Sequence, residues 1–291
     1  MTMVSANLAE GVGLGLRTPH LDVILQQKPA VAWFEVHICN FLNAPLNQYY
    51  LRQIAEHYPL SFHGVSLNLG GTDPLNKHYL TALKQVIHDY QPALVSEHAC
   101  FTAHNGQHFH DLLPVPYTTE AIHHFASRIH QVQEAFGRQI LIENVSRYSV
   151  YPESNYSEAQ FIAELCQRTG CGVLMDLNNL YVNQQNFPHD PQHSLQHVMS
   201  EIPAQAIGEI HLAGHSQQDD YLVDTHGNAV SDPVWQLWAD FIDHWQKTGT
   251  SSLPPCLIEW DNNLPSFGVL LEQQQRAQYI AEQRCLYGES A

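Results

Sequence analysis

The stretch Gln139-Ile140-Leu141-Ile142-Glu143-Asn144 decides the fold. An apolar run ends there in a carboxylate and an amide. That reads as a buried parallel strand delivering polar groups at its C-terminal end. The same grammar recurs in Ser61-Phe62-His63, Leu94-Val95-Ser96-Glu97-His98, Val173-Leu174-Met175-Asp176, Ile210-His211 and Leu257-Ile258-Glu259. Two further strands are expected at Gly11-Val12-Gly13-Leu14-Gly15-Leu16 and Ala32-Trp33-Phe34-Glu35-Val36-His37. Alternating glycines in the first suggest close packing. A phosphate loop would need a following GK[ST] or a third glycine at helix distance, and neither is present.

Helices are predicted between the strands, near 47–57, 75–90, 118–136, 157–169, 191–202, 235–247 and 267–287, with Gly170 as a stop. Long loops are predicted at 101–117 and 215–232. Such alternation implies parallel strands. Eight units over 291 residues fit a (β/α)8 TIM-like barrel, which typically takes about 250 residues. A doubly wound open sheet is the alternative. No linker, repeat or low-complexity segment divides the chain, so one domain over residues 1–291 is expected.

The formal net charge is −17, from 12 Lys and Arg against 29 Asp and Glu. This argues against a nucleic-acid partner, because a phosphate backbone demands a Lys/Arg surface. The 20 histidines include clusters at His104, His108 and His110 and at His123 and His124, which read mainly as surface or helix residues. Six cysteines without a CxxC pair read as reduced thiols of a cytoplasmic protein. Met1 to Glu10 has neither a basic nor an apolar signal region, and no run approaches 18 apolar residues. Neither a secretory signal nor a membrane span is expected.

In a barrel of this kind all eight strand ends meet on one face. His63, His98, Glu143, Asp176, His211 and Glu259 would then share one mouth. Unpaired buried charges cost several kcal/mol each, and cations remove that penalty. Imidazole and carboxylate donors suit iron, manganese or zinc. Six ligands exceed what one metal with an open position needs, so two metals sharing a carboxylate are expected, with Glu143 as the bridge. His215, Asp224, His226 and Asn179 could hold a third ion. Asp111 reads either as a base near the metals or as an anchor for its loop. Arg17 could hold a substrate carboxylate or pair with an acidic neighbour.

The segments FHGVSLNLG (62–70), SEHACF (96–101), HDLLPVPYT (110–118), LIENVSRY (141–148), MDLNNLYVN (175–183), EIHLAGH (209–215), VDTHG (223–227) and LIEWD (257–261) carry a resemblance. Together they resemble the DUF692 (UPF0276) family, the multinuclear non-heme iron-dependent oxidative enzymes of MbnB type. The resemblance implies a TIM-like barrel holding two or three iron ions. One iron would bind His63, His98 and Glu143. A second would bind Glu143, Asp176, His211 and Glu259. A third would involve Asn179, His215, Asp224 and His226. It also implies O₂-dependent oxidation of cysteine in a ribosomally synthesised precursor peptide, often presented by a small leader-binding partner protein. Glu143, Asp111 and His215 are the residues expected closest to the chemistry. One departure stands out: Cys39 precedes Asn40 where the family's second strand is expected to carry Glu.

Two other functions compete. A xylose-isomerase-like barrel would use the same donors with zinc or manganese for hydrolysis or isomerisation, without O₂. A non-catalytic metal-binding protein would need no open coordination position.

Overall fold

The computed structural model describes residues 11–250 and 252–288. The N-terminal segment read above for a signal lies outside them. Eight parallel strands close into a barrel: β1 (Val12–Leu16), β2 (Phe34–His37), β3 (Leu60–His63), β4 (Leu94–His98), β5 (Leu141–Glu143), β6 (Gly172–Asp176), β7 (Ile207–Leu212) and β8 (Cys256–Ile258). Each pairs with its neighbours in sequence, and β8 closes on β1. The expected (β/α)8 architecture is therefore the observed one, and the open sheet is excluded. Continuous apolar strands such as Val173, Leu174 and Met175 are buried from both sides, as a helix-jacketed parallel sheet requires.

The glycines of β1 have a steric cause. A Cβ on Gly13 would lie 2.5 Å from the Trp33 ring, and one on Gly15 would lie 2.8 Å from the Arg17 guanidinium. The alternating glycines make room for a buried indole and a buried cation, which sets the phosphate-loop reading aside.

Helices fill the crossovers. Glu158–Thr169 starts with a full capping box: Ser157 Oγ accepts from Gln160 N–H at 3.1 Å while Gln160 Oε1 accepts from Ser157 N–H. Gly170 ends it at φ 70°. Ser157→Ala should cost about 1 kcal/mol, a fall in Tm of about 2–4 °C for a chain of this size. A thermal scan checks this; an unchanged Tm would show that the cap contributes nothing.

Three expectations need correction. Residues 101–117 contain a hairpin rather than a loop, Phe101–His104 paired with Gln107–Leu113. Asn105 (φ 50°) and Gly106 (φ 75°) turn it, the conformation of a type I′ turn. Residues 215–232 contain a second hairpin, Ser216–Gln218 with Tyr221–Val223. A helix at Leu177–Asn186 directly follows β6 and was not expected. Its four asparagines are poor helix formers and mask the apolar spacing, but Asp176 Oδ1 caps it by accepting from Asn179 N–H at 2.6 Å. Among the described residues, no helix is long and apolar enough to cross a membrane.

Candidate metal centre

Strand register assembles the site. His98 pairs with Glu143, Asp176 with His211, and His37 with His63 across adjacent strands. Of the five groups of His, Asp and Glu close enough to hold an ion among the described residues, two share Glu143: His63–His98–Glu143 and Glu143–Asp176–His211–Glu259. Both were expected as sets from the resemblance.

In the first set, Glu143 Oε2 lies 3.3 Å from His63 Nε2 and 3.1 Å from His98 Nε2. The two imidazole nitrogens are 3.3 Å apart. Donors about 2.1 Å from one ion, set at right angles, would be about 3.0 Å apart, so this spacing is that of one edge of a coordination shell. In the second set, His211 Nδ1 is 3.0 Å from Glu259 Oε2 and 3.9 Å from Glu143 Oε1. Glu143 therefore faces one set with each oxygen.

The back nitrogen of each imidazole is held by the protein. His63 Nδ1 meets Ser96 Oγ at 2.7 Å, and His98 Nδ1 meets the Gly64 carbonyl at 3.1 Å. His211 Nε2 meets Glu35 Oε2 at 3.0 Å. Such contacts fix ring orientation and leave the front nitrogen free to ligate.

Several buried polar atoms in this region have no hydrogen-bond partner, among them Glu143 Oε2, Asp176 Oδ2 and Asn179 Oδ1. An orphaned buried acceptor costs about 1–3 kcal/mol, more when charged. Those orphans are oxygen lone pairs, joined by His226 Nε2, and both are donor types that a borderline cation takes. The residues present fit a metal centre.

Electrostatics point the same way. Burial holds the Glu143 carboxyl well above its ordinary range. Asp176 is pushed up to about 7 by burial, with Asp224 adding to the shift against His226. Burial opposes a charged His98, but Glu143 and Glu97 outweigh it and raise that imidazole to about 9. Protons thus stand where cations would. Metal uptake near pH 7 should release more than one proton per chain in weakly buffered solution. Uptake without proton release would contradict ligation by His98.

The third expected group assembles only in part. His226 Nε2 is 2.7 Å from Asp224 Oδ1 and 3.9 Å from Asp176 Oδ2, and its Nδ1 is 3.2 Å from Glu259 Oε2. Asn179 aims an unpartnered Oδ1 from the first turn of the helix after β6. His215 stands further out: its Nδ1 meets Asn178 Oδ1 at 2.8 Å, and Asn178 Nδ2 donates to Asp224 at 2.7 Å. Asn178 is the link, and the sequence reading passed over it. Asp111 is exposed on the first hairpin, where its carboxylate accepts from Leu112 N–H at 2.8 Å.

Four further charged residues were also passed over as site members. Glu35 and Glu209 both approach His211 Nε2, at 3.0 and 3.7 Å. His37 Nε2 lies 3.1 Å from Glu259 Oε1. Asp261 pairs with Arg17, whose Nε donates at 2.8 Å. Arg17 therefore takes an acidic neighbour, and it supplies the cation for that corner. Glu35-Val36-His37 and Glu209-Ile210-His211 carried the missing signal: residues two apart on a strand share a face.

Above the cluster lies a cavity of about 430 Å³. His63, His98, His226 and Glu259 reach its floor, and both hairpin regions and Tyr148 form its walls. Among the described residues, no Lys or Arg lines it. A second cavity of about 390 Å³ sits at the opposite end, beside Val12, Trp238 and Cys256, and contains none of these donors.

The sequence model of the family described as "RiPP precursor modification enzyme MbnB/TglH/ChrH" matches residues 11–282. A UPF0276 protein of Acaryochloris marina is 43% identical over 97% of this chain and 99% of its own length. One from Psychromonas ingrahamii is 41% identical over 94% and 95%. Among solved structures, an L-ribulose 3-epimerase superposes with a TM-score of 0.59 at 13% identity, covering 96% of each chain. Endonuclease IV from Thermus thermophilus gives 0.58 at 14% identity, covering 97% of this chain and 100% of its own. At such identities the structural likeness carries the barrel and nothing more.

Proposed function

We propose, from the premise that this chain belongs to the MbnB/TglH/ChrH family of RiPP precursor modification enzymes, that it is an iron- and O₂-dependent oxidase. Its substrate is a cysteine in a ribosomally synthesised precursor peptide. The observation that carries this reading is the pair of buried donor sets sharing Glu143 beneath an open cavity. Bound there, iron would supply the redox couple and the open coordination positions at which a thiolate and O₂ can meet.

The chain's own residues have assigned tasks. His63 and His98 would hold one ion and Asp176, His211 and Glu259 the second, with Glu143 available to both. Asn179, Asp224 and His226 are the donors available to a third, with His215 behind them through Asn178. Glu35 keeps His211 turned so that Nδ1 faces the ions. Arg17 and His37 steady Glu259 from the β1–β2 side. Asp111, exposed and lining the cavity, would accept a proton from an entering thiol. The chain's net charge of −17 suits a peptide with basic residues, and a small leader-binding protein would deliver it.

Reduced, iron-loaded protein should change the mass of a Cys-containing precursor peptide encoded beside its gene, with the leader-binding protein present. The change should require O₂ and vanish when the peptide cysteine is replaced by serine. An equal mass change without O₂ would sink the oxidase reading and favour a hydrolase or isomerase.

A further inference from the structure

The three histidines of the two sets that share Glu143 are held from behind by unlike partners. His63 Nδ1 meets a hydroxyl, Ser96 Oγ, at 2.7 Å. His98 Nδ1 meets a carbonyl, that of Gly64, at 3.1 Å. Glu97 Oε1 also approaches His98 Nδ1, at 3.4 Å, but that oxygen accepts from His98 N–H at 3.0 Å and its twin from Leu67 N–H at 2.9 Å. Of the three, His211 alone has a carboxylate as its main partner, Glu35 Oε2 at 3.0 Å from Nε2.

That carboxylate is committed to His211. Glu35 is fully buried, and its Oε1 has no hydrogen bond. His37 Nε2, 3.7 Å from that oxygen, is out of reach. Arg17 is turned to Asp261 and Glu259 instead. Glu209 Oε1 stands 3.7 Å from the same imidazole nitrogen, and its other oxygen accepts from Ser61 Oγ at 3.3 Å. Strand register puts this arrangement one layer below the donors. Glu35 pairs with Ser61, and Glu35 and Glu209 each precede a histidine by two residues, on the same inward face. The charge of Glu35 therefore acts on His211 in a buried interior, where such a bond is strong.

A carboxylate behind a ligating imidazole makes it a stronger donor. The metal it holds is then favoured in the higher oxidation state, and its reduction potential falls. The ligands themselves add to the asymmetry. Glu143, Asp176 and Glu259 give the His211 set three carboxylates, against Glu143 alone in the set of His63 and His98.

We infer that Glu35 is a positioning residue that orders the two metal positions by oxidation state: through His211 it keeps the ion there ferric at potentials where the ion on His63 and His98 is already ferrous. The inference rests on the iron centre proposed above. It gives the pair a fixed polarity before any substrate enters.

Full-length protein loaded with the Mössbauer isotope of iron is poised at a series of ambient potentials, and the ferric fraction is read from the spectra. The parent should oxidise in two separate steps. Glu35→Gln keeps an acceptor for the His211 N–H and removes the charge. It should retain both ions, and its ferric-to-ferrous ratio in the first step should fall about tenfold at fixed potential, the lower end of what a partner behind a ligand contributes. Ser96→Ala, behind His63, should leave that step in place. A second measurement needs no variant: in parent crystals poised at half oxidation, the iron absorption edge refined separately for each ion should lie at higher energy for the ion on His211. Oxidation of the parent in one step, equal edges, or the higher edge on the other ion would overturn the ordering and leave iron binding intact. A first step unmoved in Glu35→Gln that holds both ions would overturn the role of Glu35. Loss of the His211 ion alone from Glu35→Gln would support that role, and loss of both ions would overturn it, because Glu35 meets neither His63 nor His98. A parent protein that takes up no iron would overturn the proposed function as well.

Discussion

Purified Glu143→Ala should hold less than half the iron of the parent protein and oxidise peptide at least about a hundredfold more slowly, exceeding the 10–100-fold typical for residues behind a ligand. The reason is geometric. Glu143 is the one residue common to both donor sets. Its removal leaves the first set with two imidazoles and the second with three donors. Misfolding is a separable explanation. Glu143 is buried against His98, 3.1 Å away, so its removal also takes a partner from a buried imidazole in the metal-free protein. Iron content is therefore compared below the variant's own Tm, where a far-UV circular dichroism spectrum like the parent's shows that it is folded. Full iron content in the variant, measured by elemental analysis, would contradict the bridging role.

Stripping the metal should lower Tm by about 5–15 °C. A ligand present at 100 to 1,000 times its Kd stabilises by about 2.7–4.1 kcal/mol, and each kcal/mol moves Tm by about 2–4 °C at this size. The loss should grow with pH. Without metal, Glu143 and Glu97 outweigh burial and hold His98 at about 9, above its unfolded value near 6.5. A raised imidazole stabilises the fold fully below the unfolded value, and that contribution disappears as pH climbs through 9. His211 and His226 are raised by carboxylate neighbours against burial and act in the same direction. Metal-free protein should thus lose stability between about pH 6.5 and 9, while metal-loaded protein, with cations in place of protons, should lose less. Thermal scans at several pH values, with and without chelator, measure this. Identical curves would show that the cluster binds no structural metal.

Much of the barrel was legible because its parallel strands are short apolar runs ending in polar residues. Leu141-Ile142-Glu143 and Val173-Leu174-Met175-Asp176 show the pattern plainly. Strand ends alone put the six donors in one mouth with Glu143 as the bridge, and the resemblance divided them into the two sets. What escaped lay one step inside. Glu35 and Glu209 sit two residues before a histidine, on the same inward face, and a reading confined to the last residue of each strand missed them. Asn105-Gly106 is a hairpin signal, yet the histidines and prolines around it read as loop. Asn178 could not be inferred, because its role depends on where the second hairpin region brings His215 and Asp224. Asp111 was singled out by its motif, but the side chain lies on the cavity wall, away from the floor where the donors meet.

Anomalous diffraction at the iron absorption edge, from crystals of iron-loaded protein, tests the metal centre most directly. Two strong peaks should appear, one among His63, His98 and Glu143 and one among Glu143, Asp176, His211 and Glu259. Peaks elsewhere, or none among these side chains in iron-replete crystals, would contradict it.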